Sequence, residues 1–260
     1  MRPRPGCKEF ERPSPPAGQT LHTRAFHEII KTPSVLKQLW REWVRPLLVM
    51  ATIVFSIRSS FADYNFVPTG SMKPTILEGD LVFVNKLAYD LKVPFTTTHL
   101  AEWSDPSRGD IVVLFSSEDS LRLVKRVVAV PGDTIELRSN ALWINGQRAR
   151  YAPLPAAEFA GVPAAEQAVA EFATETVGNC SHAVMARPFT PSLHCSFPPM
   201  MLGAGEYFVM GDNRDNSKNS RTFGVVERRL IVGKACAVFA SVDKNGCYLP
   251  RFGRFFSTLR

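Results

Sequence analysis

The chain has 260 residues, 45% of them hydrophobic, and a formal net charge of +7. That length and apolar share suffice for a sizeable core and exclude a chain disordered throughout. No run of Lys and Arg interleaved with aromatics marks a binding face, so the positive charge does not point to nucleic acid as a partner.

Residues 1–20, rich in proline and arginine, read as a disordered stretch at the start of a cytoplasmic head that extends to residue 43. From Trp40 the sequence runs "WREWVRPLLVMATIVFSIRSSFADYNF", whose uncharged core, Pro46 to Ile57, is shorter than the roughly 20 residues of a membrane span. Residues 44–61 reach span length when Arg45 and Arg58 snorkel to the two interfaces, which places Trp40, Trp43, Phe61 and Tyr64 at the aromatic belts. The competing readings are a signal peptide cleaved near Ala62 and a buried core helix; the long head counts against cleavage. Lys31, Lys37, Arg41 and Arg45 precede the segment and Arg58 and Asp63 follow it, an asymmetry that keeps the head in the cytoplasm. The expectation is a single-pass anchor at 44–61, with membrane lipid as a partner and the rest of the chain outside the inner membrane.

Next comes "VPTGSMKPTILEGD", residues 67–80, where Pro68 and Pro74 fix φ around a stiff loop that presents Ser71. Its flanks are not those of the G-x-S-x-G elbow, so an α/β-hydrolase reading fails. Beyond it the apolar runs "DLVFVNK", "DIVVLF", "LRLVKRVVAV", "DTIELR", "ALWING", "EYFVM" and "LIVGKACAVFA" predict a mainly β domain, several of its strands entered through a Gly-Asp pair. Its core is expected in two parts, 62–152 and 206–260, interrupted by an Ala/Pro-rich and Cys-containing excursion or inserted subdomain at 153–205, whose helical or extended character the pattern leaves open.

Outside the membrane Cys180, Cys195, Cys236 and Cys247 face an oxidising compartment, whereas Cys7 stays reduced. Cys180 and Cys195 are the expected disulfide, and Cys236 reads as a buried strand thiol. His182 and His194 flank the first two cysteines, but their spacing matches no common zinc pattern, so no metal is expected.

A serine nucleophile requires a base. Of the five histidines only His99, in the polar loop "PFTTTHLAEW", is a plausible partner, a thin basis for a Ser-His-Asp triad. The strand "LRLVKRVVAV" is more informative. At period two, Lys125 shares a face with Leu121, Leu123, Val127 and Ala129, while Arg126 shares the other with Arg122, as solvated charges do. Burial disfavours an ammonium ion, and a lysine neutralised in this way can take the proton of a serine hydroxyl. The alternative on the strand alone is a lysine that snorkels out at the sheet edge.

Taken together, "PTGSMKPTILEGD", "RGDIVVLF", "LVKRVVAVPGDTIE" and "MGDNRDNSKNSRTFG", in this order and just after an apolar segment, resemble the bacterial type I signal peptidases, over most of residues 40–151 and 205–240. The resemblance implies a signal-peptidase-like β-fold catalytic domain on the periplasmic side, acting on secretory preproteins without a cofactor. It implies Ser71 as nucleophile, Lys125 as general base, Thr69 as a hydroxyl joining the Ser71 N–H in the oxyanion hole, and Ser217 as the residue that orients the lysine amine. Val67, Pro68, Met72, Ile76, Leu123 and Val124 then match positions lining shallow pockets for small residues at −3 and −1. Asp212, Arg214, Asn219 and Arg221 match the family's structural motif.

One position departs from that motif. Where the family has an aspartate paired with the following arginine, this chain has Asn219 beside Arg221. Together with the excursion, which follows no family pattern, this leaves room for a dedicated paralogue, such as one maturing a conjugative pilus component. Two other classes compete: a non-catalytic envelope assembly protein and a self-cleaving Ser-Lys regulator. The regulator needs a helix-turn-helix head that residues 1–40 do not show.

Overall fold

The computed structural model describes residues 35–93, 98–188, 195–244 and 246–259. Residues 1–34 of the expected head, and His194, lie outside them. The chain divides into two units, residues 1–53 and 54–260.

In the first unit a helical turn, Val35–Leu39, runs into a π-helical turn, Trp40–Val44, and then into the helix Arg45–Ser60, which continues past the unit boundary. Pro46 falls in the first turn of that helix, where its missing N–H leaves no i→i−4 bond to sustain the preceding turn. Among the described residues no helix is long and apolar enough to cross a membrane. The helix nevertheless carries its apolar side chains in the open; Leu47 is 71% exposed, and Leu48, Met50 and Phe55 are more than half exposed.

The second unit is mainly β, as the apolar runs predict. Its largest sheet orders the strands Ala62–Phe66, Asp80–Asn85, Ile231–Asp243, Ile111–Phe115, Arg122–Ala129, Glu206–Met210 and Val226–Glu227, each antiparallel to its neighbours. The 13-residue strand Ile231–Asp243 is the spine. Register shifts along it let it curl, and it pairs with Asp80–Asn85, Ile111–Phe115, Leu249–Pro250 and Ser257–Thr258 in turn. A four-stranded sheet, Phe197–Met201, Thr134–Arg138, Ala141–Ile144 and Gln147–Arg148, closes one end over a core built on Ile135, Leu137, Leu142 and Phe208.

Two further clusters lie on the large sheet. Val67, Met72 and Ile76 of the serine loop pack with Val82, Val84, Ile111, Val113 and Val124, while Tyr89, Val112, Leu114, Val127, Tyr207 and Ile231 form the other. Alternation along Ile111–Phe115 sends Ile111 and Val113 one way and Val112 and Leu114 the other, so this strand is covered on both faces.

The excursion, residues 153–205, lies within the compact unit 54–260. It contains two short helices, Ala156–Phe159 and Ala164–Gln167, and the hairpin Glu171–Val177/Cys180–Ala186, with Gly178 at φ +59° and Asn179 in the two-residue turn. Arg150–Pro153 extends that hairpin into a three-stranded sheet, and Phe197–Met201 returns to pair with Thr134–Arg138. Both connections weave the insert into the core, and Leu77 of the serine loop packs on its Val162 and Met185.

The C-terminal segment folds back on the serine loop. Arg254 donates to the Thr75 carbonyl at 3.0 Å and to the buried Asp80 carboxylate at 2.7 Å, and Arg251 donates to the Glu78 carbonyl.

Candidate active site

Ser71 sits in the turn between the strands Ala62–Phe66 and Asp80–Asn85, with its loop anchored by Met72 and Ile76, both wholly buried. Lys125, on a strand separated from Asp80–Asn85 by two others in the sheet, is 2% exposed, and its Nζ lies 2.7 Å from Ser71 Oγ, within hydrogen-bond reach. Burial pulls the Lys125 ammonium down to about 8, and the neighbouring Asp212 charge opposes that only in part. Hydroxyl and amine thus meet with the amine about half neutral at pH 8.

The next residue on the strand holds the segment that closes the site. Arg126 makes a two-pronged ion pair with Asp212, Nε to Oδ1 at 2.8 Å and Nη2 to Oδ2 at 2.7 Å, and its Nη1 donates to the Gly109 carbonyl. Thr75 Oγ1 donates to the same carboxylate at 2.5 Å. Burial works against the charged Asp212, yet Arg126 and these hydrogen bonds hold its pKa below the usual range. Gly211, just before, has no room for a side chain: a Cβ there would lie 2.3 Å from the Ser71 carbonyl oxygen and 2.2 Å from Ser217 Oγ. Asn213, just after, donates from its main chain to the Ser71 carbonyl at 3.2 Å and from its side chain to the Gly70 carbonyl at 3.0 Å.

The family model described as "Signal peptidase, peptidase S26" matches residues 40–240. The chain belongs to this family. Similar proteins include a signal peptidase I of Pseudomonas aeruginosa, 36% identical over 85% of this chain and 82% of that one, and a signal peptidase I of Pseudomonas fluorescens, 33% identical over 82% and 77%. A protein named signal peptidase I P, of Bacillus subtilis subsp. natto, is 31% identical over 78% of this chain and 90% of its own.

With the signal peptidase family in view, the expected site residues fall into those the structure brings together and those it does not. Val67, Met72, Ile76 and Val124 share one buried cluster beside Ser71, whereas Leu123 packs against the other cluster, with Tyr89, Val112 and Val127. Pro68 and Thr69 are exposed at the rim of the loop. Ser217 does not hydrogen-bond Lys125 here: the lysine amine is directed at Ser71, and Ser217 Oγ is lodged against Gly211 with no hydrogen-bond partner. Arg126 is not a solvated charge as its strand face implied; it is 1% exposed, enclosed with its partners Asp212, Thr75 and the Gly109 carbonyl.

Nor does the expected disulfide form. Cys180 and Cys195 are both free; Cys180 opens its strand with Sγ directed at the Arg108 carbonyl, 3.0 Å away. Cys236 is only partly buried. His182 faces Glu175 Oε1 at 3.3 Å, and His99 is taken up by Asp90 at 3.2 Å and Glu102 at 3.0 Å.

The motif residue Arg214 leads to a group that sequence reasoning missed. It grips Glu175 of the insert's hairpin through both carboxylate oxygens, at 2.6 and 2.5 Å, and Tyr151 donates to the same carboxylate at 2.6 Å. Burial opposes the Glu175 charge, but Arg214 drives its pKa far below the carboxylate range. Glu166 of the insert also reaches the serine loop, accepting from the buried Lys73 at 2.7 Å. Asn219 caps the helical turn Ser220–Phe223: its Oδ1 accepts from Arg221 N at 3.0 Å and Arg221 Nε at 3.1 Å, while its Nδ2 donates to the Ser217 carbonyl at 3.0 Å. Burial, together with the nearby Arg214, lowers the Arg221 pKa to about 10.

Proposed function

We propose that this chain is a membrane-anchored signal peptidase I, a serine endopeptidase that removes signal peptides from secreted preproteins through Ser71 and Lys125. The observation that carries the reading is the 2.7 Å contact between Ser71 Oγ and a buried lysine amine whose pKa lies near 8. The neutral Lys125 amine takes the Ser71 proton as Oγ attacks the scissile carbonyl, giving a tetrahedral intermediate and an ammonium. Collapse to the acyl-enzyme expels the mature protein's amine, which receives that proton from Lys125. Lys125, neutral again, then deprotonates a water that attacks the ester, and returns that proton to Ser71 Oγ as the signal peptide leaves.

The Ser71 N–H and the Thr69 hydroxyl serve as the oxyanion hole in this scheme, and Val67, Pro68, Met72, Ile76 and Val124 as the apolar walls that select small residues at −3 and −1. Residues 44–61 serve as the anchor, with the catalytic unit on the periplasmic side. Support comes from the exposed apolar side chains of the helix Arg45–Ser60 and from the positive charges that precede it.

The test is cleavage of a preprotein by the full-length protein in detergent. Ser71→Ala, Lys125→Ala and Lys125→Arg are each expected to abolish product while keeping the wild-type circular dichroism spectrum, because nucleophile and base act as a unit and a guanidinium stays protonated. Near-wild-type turnover in any of the three rejects the dyad.

A further inference from the structure

We infer that Asn213 is a positioning residue that aims the Ser71 amide N–H at the oxyanion; the inference rests on the reading of Ser71 given above. In a trans peptide the C=O and N–H lie in one plane and point in opposite directions. The Gly70–Ser71 peptide is not among the cis bonds, so whatever fixes the Gly70 carbonyl also fixes the direction of the Ser71 N–H. Asn213 Nδ2 donates to that carbonyl at 3.0 Å, and the only other donor to it among the described residues is the Lys73 N–H of the same turn, at 3.2 Å. On the other side of the nucleophile, the Asn213 N–H holds the Ser71 carbonyl. One residue thus grips both peptides that flank Ser71, and among the described residues the Ser71 N–H itself has no acceptor.

Asn213 is well placed to impose that geometry because it is itself immobilised. It is wholly buried. Its neighbours on either side are locked, Asp212 by Arg126 and Arg214 by Glu175. Its main chain forms a parallel bridge with Met185, whose N–H donates to the Asp212 carbonyl and whose carbonyl accepts from Arg214 N, both at 2.8 Å. The insert's hairpin therefore buttresses the residue that orients the nucleophile, and Gly211 lets the whole segment approach Ser71.

The experiment compares wild type with Asn213→Asp, which keeps the size and the main-chain bond but sets a carboxylate oxygen against the Gly70 carbonyl, and with Asn213→Ala, which removes the side-chain donor. Full-length proteins in detergent are assayed on a preprotein and against two peptides ending at −1, one an aldehyde that forms a tetrahedral adduct with Ser71, the other an unreactive carboxamide. Loss of an oxyanion donor lowers kcat by about 100- to 1000-fold, and a misaimed one should lower it by about 10- to 100-fold. The expected result is that fall in kcat in both variants with KM within about threefold, aldehyde affinity weakened by a similar factor and carboxamide affinity unchanged. In Asn213→Ala the limb of the pH profile near 8 should stay in place, whereas the added carboxylate of Asn213→Asp should move it to higher pH, as the Asp212 charge already does. Wild-type kcat in either variant overturns the inference; so does equal weakening of both peptides, or a displaced pH limb in Asn213→Ala, either of which marks a merely structural loss. A Ser71→Ala control separates the two readings: if it cleaves, the nucleophile assignment has failed, whereas if it is inert while both Asn213 variants are fully active, only the role of Asn213 has.

Discussion

Replacing Lys125 with methionine should destroy activity and stabilise the fold at neutral pH. An ordinary lysine titrates at 10.5, and burial takes Lys125 to about 8, a differential cost to the charged folded state of about 3 kcal/mol. The sign follows from proton counting. Below pH 8 both states hold the proton, and the folded one bears the full penalty; between 8 and 10.5 the unfolded chain binds more protons, so stability rises with pH until the penalty is gone. Methionine fills a similar volume without a charge and forfeits the hydrogen bond with Ser71, worth about 1 kcal/mol. The net gain at pH 7 is about 2 kcal/mol, or about 4–8 °C in Tm for a domain of this size. Above about pH 10.5 the difference should vanish or reverse. Calorimetry of both proteins at pH 7 and 10.5 checks the stability arm. For the wild type, kcat/KM should rise about tenfold between pH 7 and 9, because the neutral fraction grows from about one tenth to about nine tenths. A Lys125→Met protein no more stable than wild type at pH 7, together with a kinetic limb near 10, would refute the argument that burial neutralises this amine.

Asn219→Asp should be close to neutral: the carboxylate gains charge-assisted bonds from Arg221 but loses the donor to the Ser217 carbonyl, so Tm should move by less than about 4 °C and cleavage by less than about threefold. A larger drop in Tm would make the Ser217 contact the dominant one. Gly211→Ala should cut kcat by more than about 100-fold, since its Cβ would press on the Ser71 backbone, which a flexible side chain cannot relieve; steady-state cleavage decides, and a mild effect would mean that this backbone yields. Glu175→Gln should destabilise by about 3–5 kcal/mol by leaving Arg214 buried without its counter-charge, read as a lower midpoint in urea.

What the sequence disclosed here depended on whether one residue carried its own local signal. Lys125 was legible because a strand has period two and a lysine among apolar neighbours breaks the pattern. Arg126 obeyed the same rule and was misread, because the rule assigns faces and cannot say that a loop 86 residues away covers the second one. The insert's hairpin had a signal in Gly178-Asn179, a two-residue turn between alternating segments, which its alanine- and proline-rich surroundings obscured. Glu175, Tyr151 and Asn213 had none: a buried carboxylate, phenol or amide is set by partners distant in the chain. The cysteine pairing failed for a related reason, since shared compartment and sequence proximity do not bring two Sγ atoms together.

The clasp of Arg254 on the serine loop has a bearing on the order of folding. Its contacts to Thr75 and Asp80 close sequence separations of 179 and 174 residues. Local turns can form the loop within microseconds, but ties of such span wait until the chain between them has collapsed. The loop bearing Ser71, although near the start of its unit, therefore gains these ties only after the C-terminal segment has docked.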